Sequence, residues 1–321
     1  MSLTRDAQVV TDNFTTVSRN VIDEQYIQNQ QIRHKRVFDW GQPITYLVAL
    51  AAIALAIGPV IFVILGGFRT NPQLAFNPGG LPDPWVTENY TSIFMGRFAS
   101  AFWGQVLAST MVALFTTAMV VILGVSVAYA IARFNMKRGP LLFAIFAAGL
   151  MFPATIAILP TWMILQAIGL IGHWWGVVIP QVAFALPTTV VILVPFLKAI
   201  PRELEEAAAL DGTTRTGFFF RVLLPLAKPG MITVGILAFV GSWNSYMLPL
   251  FVLRVGGANI NVFGLNASLT LPLGVQAFQT QWSASMTLIM AFTSLAMIPA
   301  LVFFLAMEKH IVNGLAGAVK G

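Results

Sequence analysis

Apolar positions in this chain fall into long charge-free runs, and the charges, glycines and prolines collect in the short segments between them. A helix that crosses the hydrocarbon layer needs about 20 apolar residues in succession, because every backbone group has to be satisfied within the element. Residues 40–68 hold one such run and residues 98–132 a second. Residues 139–197 are long enough for two, divided near 169–172. Residues 229–253 hold a fifth, and a sixth runs from about Ser285 to Met307. The pattern predicts an all-α membrane protein with six transmembrane helices. Pro153, Pro160, Pro180, Pro187 and Pro195 fall in or near the middle spans, where kinks are tolerated if neighbouring helices re-satisfy the freed carbonyls.

Composition strengthens this reading. Of 321 residues, 57% are apolar and 9% charged, against about 25% charged in soluble domains. Mean hydropathy is +0.80. A soluble fold of this size has no way to cover so much apolar surface, so lipid replaces the polar coat.

Charge then sets orientation. On the six-span topology fifteen of the eighteen basic residues lie on one side, and Arg69, Arg97 and Arg254 on the other. The positive-inside rule makes the first side, with both termini, cytoplasmic. Topology thereby accounts for the net charge of +6, and no nucleic-acid partner is needed to explain it. Residues 1–40 are polar and lack the apolar core and cleavage site of a signal peptide. They are expected to form a cytoplasmic extension, in which residues 26–36 either lie on the membrane surface as a helix or stay a partly ordered tail.

The connecting segments differ. Residues 69–98 are dense in Asn-Pro and Gly and are expected to be an outer loop. A short second outer loop carries Trp174 and Trp175, suited to the membrane interface. A long, nearly uncharged third loop covers about 254–284 and is expected to fold back toward a cavity or to meet an external partner.

The segment between the fourth and fifth spans is different again, because acidic residues cluster there. Pro201 suits a first helical turn, Glu203, Glu205 and Glu206 complement the positive end of the helix dipole, and Ala207, Ala208 and Ala209 favour helix. Gly212 permits the left-handed turn that ends it. Thr213 or Thr214 caps a second short helix through Arg221, which Pro225 and Pro229 are expected to stop. Such a helix–turn–helix with a small-residue face is a plug for a cleft on another protein, or else an ordinary loop. Composition leaves both open.

Glu206-Ala207-Ala208, three residues, Gly212, nine residues and Val222-Leu223-Leu224-Pro225 resemble the EAA loop of binding-protein-dependent ABC importer permeases. That signature reads E-A-A-x3-G-x9-I-x-L-P, and Val222 for Ile is the one departure. The likeness extends over roughly residues 40–321 and is closest to the MalG-like carbohydrate permeases of type I importers. Asn89-Tyr90, Pro160 with Gly169-Leu170, Ser242-Trp243-Asn244 and the ending from Gly314 to Gly321 contribute to it. The resemblance implies a six-span type I permease domain over 41–321, with a coupling loop at 199–228 and a cytoplasmic tail at 308–321. It implies that Glu206, Ala207, Ala208, Asp211, Gly212, Leu224 and Pro225 dock the loop in a cytoplasmic ATPase, Gly212 being the pivot. It also implies tail contacts with the ATPase through Gly317 and Lys320. The partners implied are a second, MalF-like permease, two ATP-binding subunits and an extracytoplasmic sugar-binding protein, in a bacterial or archaeal cytoplasmic membrane.

Absences shape the chemistry. The chain has no cysteine, hence no disulfide framework and no thiolate metal site, and its three histidines are scattered. No Gly-Lys pair occurs, so a P-loop is excluded, and ATP with its magnesium is expected in the partner ATPase. No cofactor or catalysis is expected of this chain. Polar residues inside spans are functional candidates. Ser242, Trp243, Asn244, Ser245 and Tyr246 in the fifth span offer a ring, an amide and hydroxyls for a sugar, or hydrogen bonds between helices. Gln166, Gln181, Thr188 and Thr189 are weaker candidates. The predicted spans contain no acidic or basic residue, which disfavours an ion-coupled carrier and fits a neutral substrate. A glycerol phosphate ester carried by the same architecture, or an ATP-independent carrier, is the alternative.

Overall fold

The computed structural model describes residues 41–134, 136–253, 260–262, 265–267, 269–279 and 285–319. The chain divides into two units, Met1–Pro59 and Val60–Gly321. Residues 1–40, with the expected surface helix, lie outside the described residues.

Helix α1 (Gly41–Gly67) supplies the described part of the first unit and runs on into the second. Every described side chain from Pro43 to Phe62 is exposed, although the helix is apolar on all sides. A helix of that kind is stable only where its surroundings are apolar as well.

In the second unit the order is α2 (Asn71–Phe76), α3 (Glu88–Phe94), α4 (Ala99–Arg133), α5 (Gly139–Gly149), α6 (Ala154–Ala167) and α7 (Trp175–Lys198). Then come α8 (Glu203–Leu210), α9 (Arg215–Phe218), a π-helical segment (Phe219–Leu223), α10 (Leu224–Trp243) and α11 (Met247–Leu253). A short antiparallel hairpin, β1 (Ile260–Val262) with β2 (Leu265–Ala267), pairs Ile260 with Ala267 and Val262 with Leu265. A 3-10 helix (Leu271–Phe278) leads toward α12 (Met286–Val319).

Among the described residues five helices are long and apolar enough to cross a membrane, and the bent pair α5–α6 raises the count to six if it forms one span. The six predicted runs are thus recovered, with corrections. The third is broken: α5 and α6 meet at 99° across Leu150–Pro153. Pro153 does not kink a helix but starts one, as the N-cap of α6. The fifth run ends early, at Trp243, and α11 follows as a separate helix. At its start, Pro225 and Pro229 do not stop the preceding helix. Pro225 occupies the first turn of α10, Pro229 lies inside it, and α9, the π segment and α10 form one continuous rod. The π segment, with its wider i→i+5 turn, ends directly before α10, whose first turn holds Pro225.

The outer segment 69–98 is more ordered than its punctuation implies. Thr70 caps α2 through a reciprocal box with Gln73, with Pro72 in the first turn. Asn71 Oδ1 accepts from Thr287 N and Thr287 Oγ1, both at 3.2 Å, which ties α2 to the start of α12. Asn89 Nδ2 donates to the carbonyls of Gly67 (3.0 Å) and Arg69 (2.8 Å), and the Tyr90 hydroxyl to Ile64 O (2.7 Å). The Ile64 and Gly67 carbonyls belong to the last turn of α1, where helical partners run out.

The centre of the unit is α4, which packs on α7 and α10. With little hydrophobic drive between helices in lipid, close contact decides such packing. Gly124 shows how close it is, because a Cβ there would run into Thr189 of α7. At one end Val125, Ala128, Ile131, Leu193, Leu197, Phe218 and Leu223 form a buried cluster. At the other, Phe102, Ala113, Phe239, Leu271 and Phe292 join α4 and α10 to the 3-10 helix and α12.

Candidate functional site

Two places on this frame carry the candidate residues. The first is the turn between α7 and α10. Arg202 is the N-cap of α8, so Pro201 sits just ahead of the helix and not in its first turn. Glu203, Glu205 and Glu206 do occupy that turn. The end is a Schellman arrangement, with Thr213 N donating to Ala208 O (2.9 Å) and Gly212 N to Ala209 O (3.0 Å). Gly212 has φ +76°, the left-handed region that glycine enters without steric penalty. Thr214 then caps α9, its Oγ1 accepting from Gly217 N at 3.2 Å.

The face presented is apolar as well as acidic. No residue of α8 is buried, and Leu210 is 90% exposed. Glu206, Ala207 and Asp211 are exposed too, and Ala208 leans on the cluster beneath. On the following rod Phe218 and Leu223 anchor into the core, Leu224 is half-buried and Pro225 is exposed. An eight-residue helix would not persist on its own propensity. It is held by the Schellman pair at its C-terminal end and by the anchors behind it, so the outward face is free for a partner.

Arg133, the last residue of α4, stands behind this turn. It is only 7% exposed, and its NH2 donates to Leu197 O (2.8 Å) and Ile200 O (2.7 Å) at the end of α7. Sequence reasoning counted it only among the cytoplasmic charges. The available signal was its position, closing a 35-residue helix that carries no other charge.

The second place is a cavity of about 440 Å³ between α4, α6, α7, α10 and α11. Ser242, Ser245 and Tyr246 line it, together with Thr116, Thr155 and Gln181. Gln181 Oε1 accepts from Ser242 Oγ (2.6 Å) and Thr116 Oγ1 (3.1 Å), while its Nε2 is buried without a partner. Tyr246 OH accepts from Gln276 Nε2 at 2.9 Å. Thr188 and Thr189 line a smaller space of about 190 Å³ that shares Ala185, Leu237 and Ala238 with the first. Two of the proposed pathway residues are elsewhere. Trp243 is 5% exposed and stacks on Phe239 (5.9 Å, 18°), so it is a core side chain and offers no platform to a ligand. Asn244 is exposed at the end of α10, outside the cavity wall. Gln166 is exposed as well. In the tail, α12 continues as helix through Val319, which includes Gly317, and Lys320 lies outside the described residues.

Residues 88–316 match the family described as binding-protein-dependent transport system inner membrane component. The chain belongs to that family. As a member, it is a permease subunit of a binding-protein-dependent transport system and a multi-pass membrane protein. Among related permeases is the sulfoquinovosyl glycerol transport system permease protein SmoH of Agrobacterium fabrum, 32% identical over 88% of this chain and 95% of that one. The trehalose transport system permease protein SugB of Mycobacterium tuberculosis is 33% identical over 86% and 98%. The arabinooligosaccharides permease protein AraQ of Bacillus subtilis is 26% identical over 90% and 100%. In fold, the permease resembles a chain of a bacterial ABC transporter involved in the import of the acidic polysaccharide alginate. The TM-score is 0.66 at 19% identity, covering 86% of this chain and 99% of that one.

Proposed function

We propose that this permease forms half of the pathway of an ATP-driven importer for a mono- or oligosaccharide, and that residues 199–228 couple it to a cytoplasmic ATPase. The observation that carries the coupling is the unburied α8, closed at Gly212 and presenting Glu206, Ala207 and Leu210 outward. Both termini and this turn are cytoplasmic by the positive-inside rule. A second permease, two ATP-binding subunits and an extracytoplasmic binding protein complete the assembly. ATP and magnesium belong to the ATPase, and this chain binds no cofactor and hydrolyses nothing.

The substrate class rests on the cavity. Its polar lining consists of hydroxyls and one amide, from Thr116, Thr155, Gln181, Ser242, Ser245 and Tyr246, and no charged side chain joins it. Hydroxyls and amides in a mostly apolar wall suit the alternating hydroxyl and C–H surface of a sugar. A phosphate ester would call for a cation there. The substrates in the names of the related permeases, a sulfoquinovosyl glycerol, trehalose and arabinooligosaccharides, support a carbohydrate.

The test is purification of the tagged permease from its native membrane, followed by reconstitution. Co-purification of a P-loop ATPase and a second permease, with ATP hydrolysis stimulated by a sugar-loaded binding protein, is the expected result. Stable recovery of the chain alone, with no ATPase activity, would overturn the reading.

A further inference from the structure

We propose that Arg133 is a positioning residue that makes α4 and the coupling turn move as one body, so that the stroke of the ATPase reaches the cavity through α4. This rests on the coupling reading above and adds the route by which the motion travels.

Geometry at the end of α4 carries the argument. The last carbonyls of a helix have no partner within it and form the negative end of its dipole. Arg133 brings its guanidinium to that point on α7, bonding Leu197 O in the last turn and Ile200 O just beyond it with one nitrogen while nearly excluded from solvent. The guanidinium stays charged and is more weakly hydrated than a lysine ammonium, so it can hold these carbonyls from a nearly buried position. Pulling the two ends apart would cost Arg133 both of its carbonyl partners at a nearly buried position, so the joint resists opening. The neighbouring residue adds a second fastening. The Arg215 guanidinium from α9 lies 5.7 Å from the centre of the Phe134 ring, within cation–π range. Tyr129 packs on Phe134 (5.3 Å) and on Phe219 of the π segment (4.9 Å). The end of α4 is therefore tied both to the entry of the coupling turn and to its exit.

What α4 does with that attachment follows from its build. Among the described spans it alone contains no proline; α1, α6, α7, α10 and α12 each have at least one inside. An uninterrupted helix transmits displacement along its axis, whereas kinked ones bend. Thr116 lies seventeen residues back from Arg133, about 25 Å along the axis, and bonds Gln181 in the cavity wall. A shift of the coupling turn thus arrives at the hydroxyl network that lines the cavity.

The experiment uses the complete assembly in proteoliposomes with sugar-loaded binding protein, and reads sugar imported per ATP hydrolysed. Arg133→Gln is expected to lower that ratio about tenfold, Arg133→Lys to fall between, and Lys137→Gln to leave it unchanged. Because the chain has no cysteine, spin labels at Ala209→Cys and Ile122→Cys report whether α8 and α4 move together. Their separation should stay constant on ATP binding with Arg133 present and change with Arg133→Lys. A wild-type ratio in Arg133→Gln, or a label separation that changes while Arg133 is intact, overturns the proposal. Should Arg133→Gln fail to assemble, Arg133→Lys and the labels decide. A wild-type assembly whose ATPase ignores the binding protein would refute the coupling reading itself; failure of the Arg133 proposal shows only in the variants and the labels.

Discussion

The coupling turn and the cavity solve opposite problems. The turn lies between two spans, buries no residue of α8, and takes its shape from neighbours in sequence: a glycine at φ +76°, a threonine cap and a Schellman pair. The cavity lies among the spans and takes its shape from five helices, its central network joining Thr116, Gln181 and Ser242 across more than sixty residues. The difference teaches where each is fragile. A single backbone change can ruin the turn, whereas the cavity yields to side-chain chemistry and keeps its walls.

The largest effect is expected at Gly212. A Cβ there meets nothing within 4 Å, so any harm comes from the backbone alone. A β-branched residue in the left-handed region is strained by at least about 1–2 kcal/mol. Gly212→Val should leave the permease assembled in the membrane and abolish sugar uptake, while Gly212→Asn, which tolerates that region, should retain most of it. Uptake by Gly212→Val at the normal rate would show that the turn does not couple. Next in size is Leu210→Ser. Removing an apolar side chain that is 90% exposed should change the stability of the permease by less than about 0.5 kcal/mol. If α8 docks in a groove, the same change should weaken ATPase binding about thirtyfold, the scale of a central interface anchor. Titration of purified ATPase onto the reconstituted permease measures it.

Legibility in the sequence follows the same division. The EAA-like turn was readable because its signals lie within twenty residues and act at short range; Glu206, Gly212 and Thr214 all take the places the spacing implies. The count of apolar runs was readable for a similar reason, since span length is set by the bilayer. The prolines were not. Nothing local separates Pro153, which begins a new helix after a 99° bend, from Pro187, which stays inside α7. The neighbours decide: a Cβ on Gly149, the last residue of α5, would lie 3.1 Å from the Pro187 ring, so α5 ends against that proline. Trp243 misled for a comparable reason, since a tryptophan suits a sugar face and a hydrophobic core equally well. Packing against Phe239 settled which. Gln181 was undervalued because its importance comes from Thr116 and Ser242, which no sequence window contains.

The cavity side of the comparison is sharpened by Gln181→Met, which nearly conserves volume. Membrane interhelical hydrogen bonds are worth about 0.6 kcal/mol on average, and the change also removes a buried Nε2 that has no partner. The permease should therefore fold with stability altered by less than about 1.5 kcal/mol. Uptake at low sugar concentration should fall about tenfold, the scale of losing hydrogen bonding to a hydroxyl-rich ligand, with the rate at saturation largely kept. An unchanged half-saturation concentration would mean that the network serves packing alone.

The smallest expected effect tests whether the turn is as local as its geometry implies. Thr214 Oγ1 accepts from Gly217 N and so caps the first turn of α9. Thr214→Ala should cost about 1 kcal/mol, lower the thermal midpoint in detergent slightly, and leave the cavity and its sugar selectivity untouched. Thr214→Ser keeps the oxygen and should restore the midpoint. The two variants together separate the cap from the methyl group, because serine lacks the methyl and alanine lacks the oxygen. A change in sugar selectivity in either variant would mean that the cavity senses the fine position of α9 directly, and the two regions would then have to be treated as one.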